Sequence, residues 1–212
     1  MRSSALIAIL VAVSFTLSLY SNSLLPETVA SHWDAQGQPN GYMPKTWLLF
    51  LMPAIAAAAA LMMYALPLLD PLKANIDKFR PHYDRFIVLV VLFLLYLHIL
   101  TLLWNLGYTF NMVAAMVPGL AALFYSSGIL IENAKRNWFM GIRTPWTLSS
   151  DKVWDKTHKI GAKLFKASAA ISLVGLVLQD YAIYLIIAPI LLSSFYVVAY
   201  SYLEYKKEKR NQ

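Results

Sequence analysis

The side chains in this chain that could do chemistry are few and dispersed. Histidine stands at positions 32, 82, 98 and 158. The apolar stretches between them put these four at different depths, so they cannot converge on one metal ion. Cysteine is absent, which removes thiol nucleophiles, disulfides and thiolate metal sites together. G-x-S-x-G, a Gly-rich phosphate loop and H-E-x-x-H are all missing. Glu27 and Asp34 share a segment, but nothing places them around a scissile bond. The expectation is a protein that is not an enzyme and holds no cofactor or metal. One polar stripe remains: His98, Thr101, Asn105 and Tyr108 fall on one helical face inside an apolar run. It reads either as the lining of a cavity in a small transporter or lipid-handling protein, or as a helix–helix contact with hydrogen bonds across a bundle. The second reading is favoured, because a proton path with one buried histidine and no buried carboxylate lacks a relay partner.

Two polar segments offer recognition chemistry instead. The first, residues 26–45, is punctuated by Gly and Pro, which predicts a compact folded loop. His32, Trp33 and Tyr42 supply aromatic area there, and Asp34 and Lys45 supply charge. The competing reading makes Trp33 and Tyr42 members of an interfacial aromatic belt. The second segment runs from Asn137 through Gly141, Arg143, Thr144, Pro145 and Trp146 into a helix carrying Trp154 and His158. Ser149 or Ser150 can cap that helix, and Asp151 suits its first turn. Lys152, Lys156, Lys159, Lys163 and Lys166 recur at spacings of four and three, so they share one face. That face reads as a lipid anchor, with anionic headgroups or an acidic partner as what it would attract.

The elements that must position these residues follow from composition. Of 212 residues 59% are hydrophobic and 14% charged, against about 25% charged in an ordinary soluble domain. So much apolar surface needs lipid as its solvent. The net charge of +7 sits beside apolar runs, so no nucleic-acid partner is expected. Runs of about 20 apolar residues span a bilayer as helices, and six are found: 5–25, 46–69, 86–106, 109–131, 160–178 and 181–203. The fifth is the weakest, because Lys163 and Lys166 interrupt it. With the N-terminus inside, seventeen of the eighteen Lys and Arg residues fall on the cytoplasmic side and only Lys45 lies outside; dropping the fifth run destroys this asymmetry. Ser21-Asn22-Ser23 resembles a signal-peptidase site, but removing the first run would spoil the same pattern. The expected fold class is therefore all-α: a single integral membrane domain over 1–212, a polytopic bundle of six transmembrane helices with both termini cytoplasmic. Its outer loop is 26–45 and its inner loops are 70–85 and 132–159. Pro53, Pro118 and Pro189 fall inside spans.

Gly141-Ile142-Arg143-Thr144-Pro145-Trp146-Thr147-Leu148, followed by Val153-Trp154 and Thr157-His158, resembles the signature of the SdpI-like family. The segment from Leu25-Pro26 through His32-Trp33 and Gly37 to Lys45 and Pro53 is similar to the N-terminal region common in that family. The resemblance implies a multi-pass protein of the bacterial cell membrane that protects its host from a secreted, membrane-active peptide toxin. It further implies a receptor role, in which a cytoplasmic repressor is held at the membrane when toxin is present.

Overall fold

Hydrocarbon offers no water to bond a backbone amide, so an apolar run must satisfy itself as a helix. A computed structural model describes residues 3–211 (Arg2, counted above with the inner charges, lies outside them), and it is mostly helical. The long helices are α1 (Ser3–Ser21), α2 (Lys45–Leu69), α4 (Arg80–Asn105), α5 (Met112–Asn133), α7 (Asp151–Leu173) and α8 (Ala182–Arg210). Short helices α3 (Lys73–Asp77) and α6 (Pro145–Ser149) lie between them, and two 3₁₀ turns, Val174–Leu176 and Gln179–Tyr181, join α7 to α8. Five of the long segments are apolar enough to cross a membrane; α7, with its lysines, is not among them.

The structure corrects the sequence expectation in one place and extends it in another. The chain is not all-α, because part of the loop 26–45 is a β-hairpin of β1 (Thr28–Trp33) and β2 (Pro39–Pro44), paired antiparallel with an irregular register around His32. Extended backbone suits the β-branched start of β1, and the prolines at both ends of β2 sit where a two-stranded ribbon leaves N–H positions free. In addition, the interfacial helix and the run 160–178 are one continuous element. Ser150 caps α7 by accepting from the Val153 N–H at 3.2 Å, and the helix gives way to 3₁₀ turns after Leu173.

Four prolines lie inside the long helices: Pro53 and Pro67 in α2, Pro118 in α5 and Pro189 in α8. Each removes the N–H that would bond the carbonyl four residues back. A hydroxyl on a neighbouring helix serves the freed carbonyl directly at Pro53 and Pro67, and lies near the freed region at Pro118 and Pro189. Ser18 of α1 donates to the Leu49 carbonyl at 2.5 Å and Tyr83 of α4 to Met63 at 2.5 Å. Ser172 of α7 donates to Ser168 at 2.8 Å and lies 3.4 Å from the Leu185 carbonyl, and Tyr96 of α4 donates to Ala115, three residues before Pro118, at 2.5 Å. These bonds join α1 to α2, α2 to α4, α4 to α5 and α7 to α8. The α5–α7 junction relies on close approach instead: a β-carbon at Gly128 would meet the Ala162 carbonyl at 2.9 Å.

The packing resolves into two groups, α1/α2/α4 and α5/α7/α8, which meet mainly where α4 contacts α5. In the second group α7 runs antiparallel to α8 along its whole length. Lys156 meets Glu204, Ser168 meets Ser193 at 3.0 Å, and Ser172 meets Leu185. The apolar core gathers at the end away from the hairpin, where Ile76, Phe79, Tyr83, Ile87 and Trp154 are buried together.

If the freed carbonyls govern helix pairing, Tyr83→Phe lowers stability by about 1–3 kcal/mol, the cost of a buried carbonyl left unbonded. In a Pro67→Ala background the Met63 carbonyl regains its own N–H, and the same substitution should cost less than half as much. Unfolding of the four variants in detergent reads this cycle; equal costs in both backgrounds would remove the proline from the explanation.

Candidate functional site

At the hairpin end, Asp34 makes the turn. Its Oδ1 accepts from the backbone N–H groups of Gln36 and Gln38, both at 2.9 Å. Two asparagines then fix the ribbon to the bundle. Asn105 accepts from the Ala30 N–H at 2.7 Å and donates to the Ala30 carbonyl at 3.0 Å, taking the place of a neighbouring strand. Asn111, which caps α5 through the Ala114 N–H, donates to the Gln36 carbonyl at 3.2 Å. Trp33 packs edge-on against Trp104 at 5.8 Å. Tyr42 and His32 are exposed, the latter bonded through Nδ1 to Asn40 Oδ1 at 2.5 Å. Lys45 is committed: its ammonium donates to the carbonyls of Asn22 and Leu25 and pairs with Glu27 at 3.0 Å, clasping the end of α1 to the start of α2.

The stripe His98–Thr101–Asn105 is divided among three tasks. His98 is fully buried, and its Nε2 lies 2.9 Å from Ser18 Oγ. Ser18 spends its one proton on the Leu49 carbonyl, so its oxygen accepts from the imidazole N–H. Thr101 donates back to Leu97 at 2.8 Å, and Asn105 holds the hairpin.

The opposite end is a folded platform rather than a linker. Asn137, wholly buried, uses its entire amide: Nδ2 donates to the carbonyls of Lys135 and Met140, and Oδ1 accepts from the N–H groups of Phe139 and Met140. Gly141 follows with φ +107°, and Ile142 N–H donates to His158 Nε2 at 3.0 Å. His158 Nδ1–H donates to the Trp154 carbonyl at 2.9 Å, so the neutral ring is required. Burial pushes its pKa down to about 4 at this position, ahead of the apolar stretch of α7. The His158 ring stacks on Trp154 at 3.9 Å, and Trp154 donates its indole N–H to Ala134 at 2.8 Å. Thr144 and Thr147 form a capping box at α6, with Pro145 in its first turn, and Thr144 also meets Ser201 of α8 at 3.1 Å. Trp146 packs on Tyr202 at 5.0 Å. Arg143 is exposed and donates to the Trp138 carbonyl at 2.6 Å, leaving most of its fork toward solvent.

Sequence reasoning missed the residues that tie this platform down. Asp70, buried, accepts from Leu72 N–H at 2.7 Å and, through Oδ2, from Trp138 N–H at 2.9 Å. Asn75 donates to the Arg136 carbonyl at 2.9 Å. Asp70-Pro71 is a local turn signal, but its long-range partner has no mark in the sequence. The lysine face is partly neutralised: Lys166 pairs with Glu132, and Lys156 with the buried Glu204 at 2.6 Å, a bond that holds the Lys156 ammonium above its usual pKa. Lys152, Lys159 and Lys163 make no ion pair among the described residues. A β-carbon at Gly141 would collide with His158 Nε2, whereas Gly107, also at positive φ, has open space around it. Gly107→Ala should therefore cost about 1–2 kcal/mol of backbone strain alone, and Gly141→Ala about 1–3 kcal/mol more from overpacking. Thermal unfolding of both variants measures the difference, and equal losses would deny Gly141 its packing role.

Comparison with known proteins coincides with these two ends. Residues 133–201 match the SdpI/YfhL protein family, and residues 7–57, which include the hairpin, match a domain of unknown function (DUF1648). No solved structure matches the chain. The chain is 26% identical over 208 residues to the immunity protein SdpI of Bacillus subtilis (strain 168), covering 98% of each protein. It is thus similar to SdpI from end to end and carries the SdpI/YfhL family match from the end of α5 into α8.

Proposed function

We propose that the chain is a multi-pass protein of the bacterial cell membrane with a non-enzymatic, SdpI-like immunity role, protecting its host from a secreted membrane-active peptide toxin. The observation that carries this reading is the similarity to an immunity protein over 98% of both chains, loops included. Its finer parts are a single membrane domain with six crossings and cytoplasmic termini, toxin recognition on the hairpin side, and a cytoplasmic repressor docking near Arg143. The sixth crossing is supported by α7 lying antiparallel beside α8 for its full length, and the orientation by the distribution of basic residues. Anionic lipids suit Lys152, Lys159 and Lys163 on the inner side.

Because the chain has no cysteine, single cysteines report topology without background. An impermeant thiol reagent should label position 36 or 38 in intact cells and leave 150 and 208 untouched; external labelling at 208 would overturn the six-crossing arrangement.

The immunity reading is tested by survival of a sensitive host challenged with the sporulation-delay toxin, with and without this protein. Expression should raise survival, and Trp33→Ala with Tyr42→Ala should reduce protection about tenfold or more at unchanged membrane levels, as loss of an aromatic hot spot does. No gain in survival from the unaltered chain would reject an immunity role toward that toxin.

A further inference from the structure

Between α4 and α5 lies a polar recess of about 120 Å³, lined by His82, Arg85 and Phe86 of the first helix and Ser126 and Ile129 of the second. Positions 82, 85 and 86 share one face of α4, as 126 and 129 do on α5. The height of the recess follows from helix length. α4 has 26 residues, about 39 Å at 1.5 Å per residue, against about 30 Å of hydrocarbon. It overshoots by a few ångströms at each end. Arg85 is the last charged residue before the apolar run 86–106, about 7.5 Å in from the start of the helix. Ser126 lies about 10 Å from the end of α5. Both stand where hydrocarbon gives way to headgroups.

The polar side chains of the recess are uncommitted. Arg80 takes Asp84 at 2.7 Å, whereas Arg85 pairs with no carboxylate among the described residues. Thr101 and Ser194 return their protons to the carbonyl four residues back; on α5 Asn133 does so, and Ser126 does not among the described residues. Neither ring nitrogen of His82 has a hydrogen-bond partner among the described residues, and Nδ1 is buried, which leaves Nε2 as the nitrogen a ligand can reach. An arginine alone at this height can snorkel to water along its stem. The short side chains of His82 and Ser126 cannot, so their donors gain most from an acceptor brought to them.

We propose that the recess binds the phosphate of an anionic phospholipid in the leaflet at the platform end, its acyl chains running along the apolar surface of α4 and α5. Size limits the ligand: the recess is below the about 300–1,000 Å³ of a small-molecule pocket, so it takes one group of a larger molecule whose remainder lies outside. The guanidinium fork holds two phosphate oxygens, and the His82 Nε2–H and the Ser126 hydroxyl donate to the same group. No carboxylate lines the recess, so a headgroup carrying its own ammonium finds no counter-charge there, while a net negative one matches the unpaired Arg85. Recognition here rests on donors converging from two helices and is separate from the lysine face of α7. It is independent of the immunity reading; only the naming of the leaflet as the inner one follows the proposed orientation.

The test uses the full chain in dodecylmaltoside with Ile129→Cys, which stands alone because the chain has no cysteine, and Leu192→Cys on the exposed face of α8 as control. Dioleoylphosphatidylglycerol should slow modification of the recess cysteine by a small methanethiosulfonate at a concentration about tenfold below that needed of dioleoylphosphatidylcholine, a difference of about 1.4 kcal/mol, and leave the control unchanged. Arg85→Gln should raise the protecting concentration about tenfold, whereas Lys152→Gln with Lys163→Gln should not change it. Should Ile129→Cys fold poorly, native mass spectrometry of the cysteine-free chain reads the same site: Arg85→Gln should retain one phosphatidylglycerol fewer than the unaltered chain, and an equal count would overturn the proposal. Equal protection by the two lipids would reduce the recess to surface covered by any lipid. Protection by sodium phosphate alone would make it a site for free phosphate. Loss of protection with the two lysines in place of Arg85 would move the lipid to α7. Each of these three results would overturn the proposal.

Discussion

The structure depends on a rule of solvent: a carbonyl without a partner is far more costly in hydrocarbon than in water. Four internal prolines break that rule, and at Pro53 and Pro67 the freed carbonyl is answered directly by a hydroxyl on an adjacent helix. The consequence is specificity. Apolar surfaces alone do not choose neighbours in lipid, because tails and leucines are equally greasy. A freed carbonyl does choose, since only a donor at the right height and azimuth completes it. Ser18 and Tyr83 thereby fix which helices touch and in what register, and His98 acts one step back by bonding the serine that serves Leu49.

That arrangement explains what the sequence disclosed. The long apolar runs and the two polar segments were legible, because helix length and charge placement are local or additive properties. The residues His98, Thr101 and Asn105 were legible as one face, yet the structure gives them three separate partners, a distinction that periodicity cannot make. The hairpin was hidden because β1 is short, alternates weakly and is followed by a strand that begins and ends with proline. Its stability comes from outside the segment, from Asn105 and Asn111 on helices about 70 residues further along the chain. Asp70 and Asn75 were missed for the same reason: their partners at Trp138 and Arg136 lie more than 60 residues away.

Charge tells a similar story at closer range. Lys45, the lone basic residue assigned outside, is consumed by the end of α1 and by Glu27, so its presence there is a structural necessity more than a recognition feature. Among the five lysines of α7, two reach carboxylates on α5 and α8 in opposite directions. A stripe that looks uniform on a helical wheel is therefore two staples with two unpaired charges between them and a third, Lys152, before them. Surface pairs of this kind contribute little each, but Glu204 is buried and holds two lysines, Lys156 at 2.6 Å and Lys207 at 3.1 Å, so only the loss of both would leave a desolvated carboxylate.

The two helix groups meet chiefly along α4 and α5, with a cavity of about 460 Å³ beneath the hairpin and a second of about 330 Å³ toward the platform end, walled partly by Met63, Tyr83 and Leu130 and floored by Phe139–Ile142. The Tyr96–Ala115 bond lies level with the first cavity, whose wall on α5 runs from Met112 to Leu120. Coupling between the ends requires two arrangements with different affinities, and rotation of one group against the other is the change the cross-group bonds would sense. The platform is built to register such a rotation. Asp70 and Asn75 belong to the connection between α2 and α4, whereas Trp138 and Arg136 belong to the connection between α5 and α7. Those hydrogen bonds cross from one group to the other at the platform end, as Asn105 and Asn111 do through the hairpin at the opposite end.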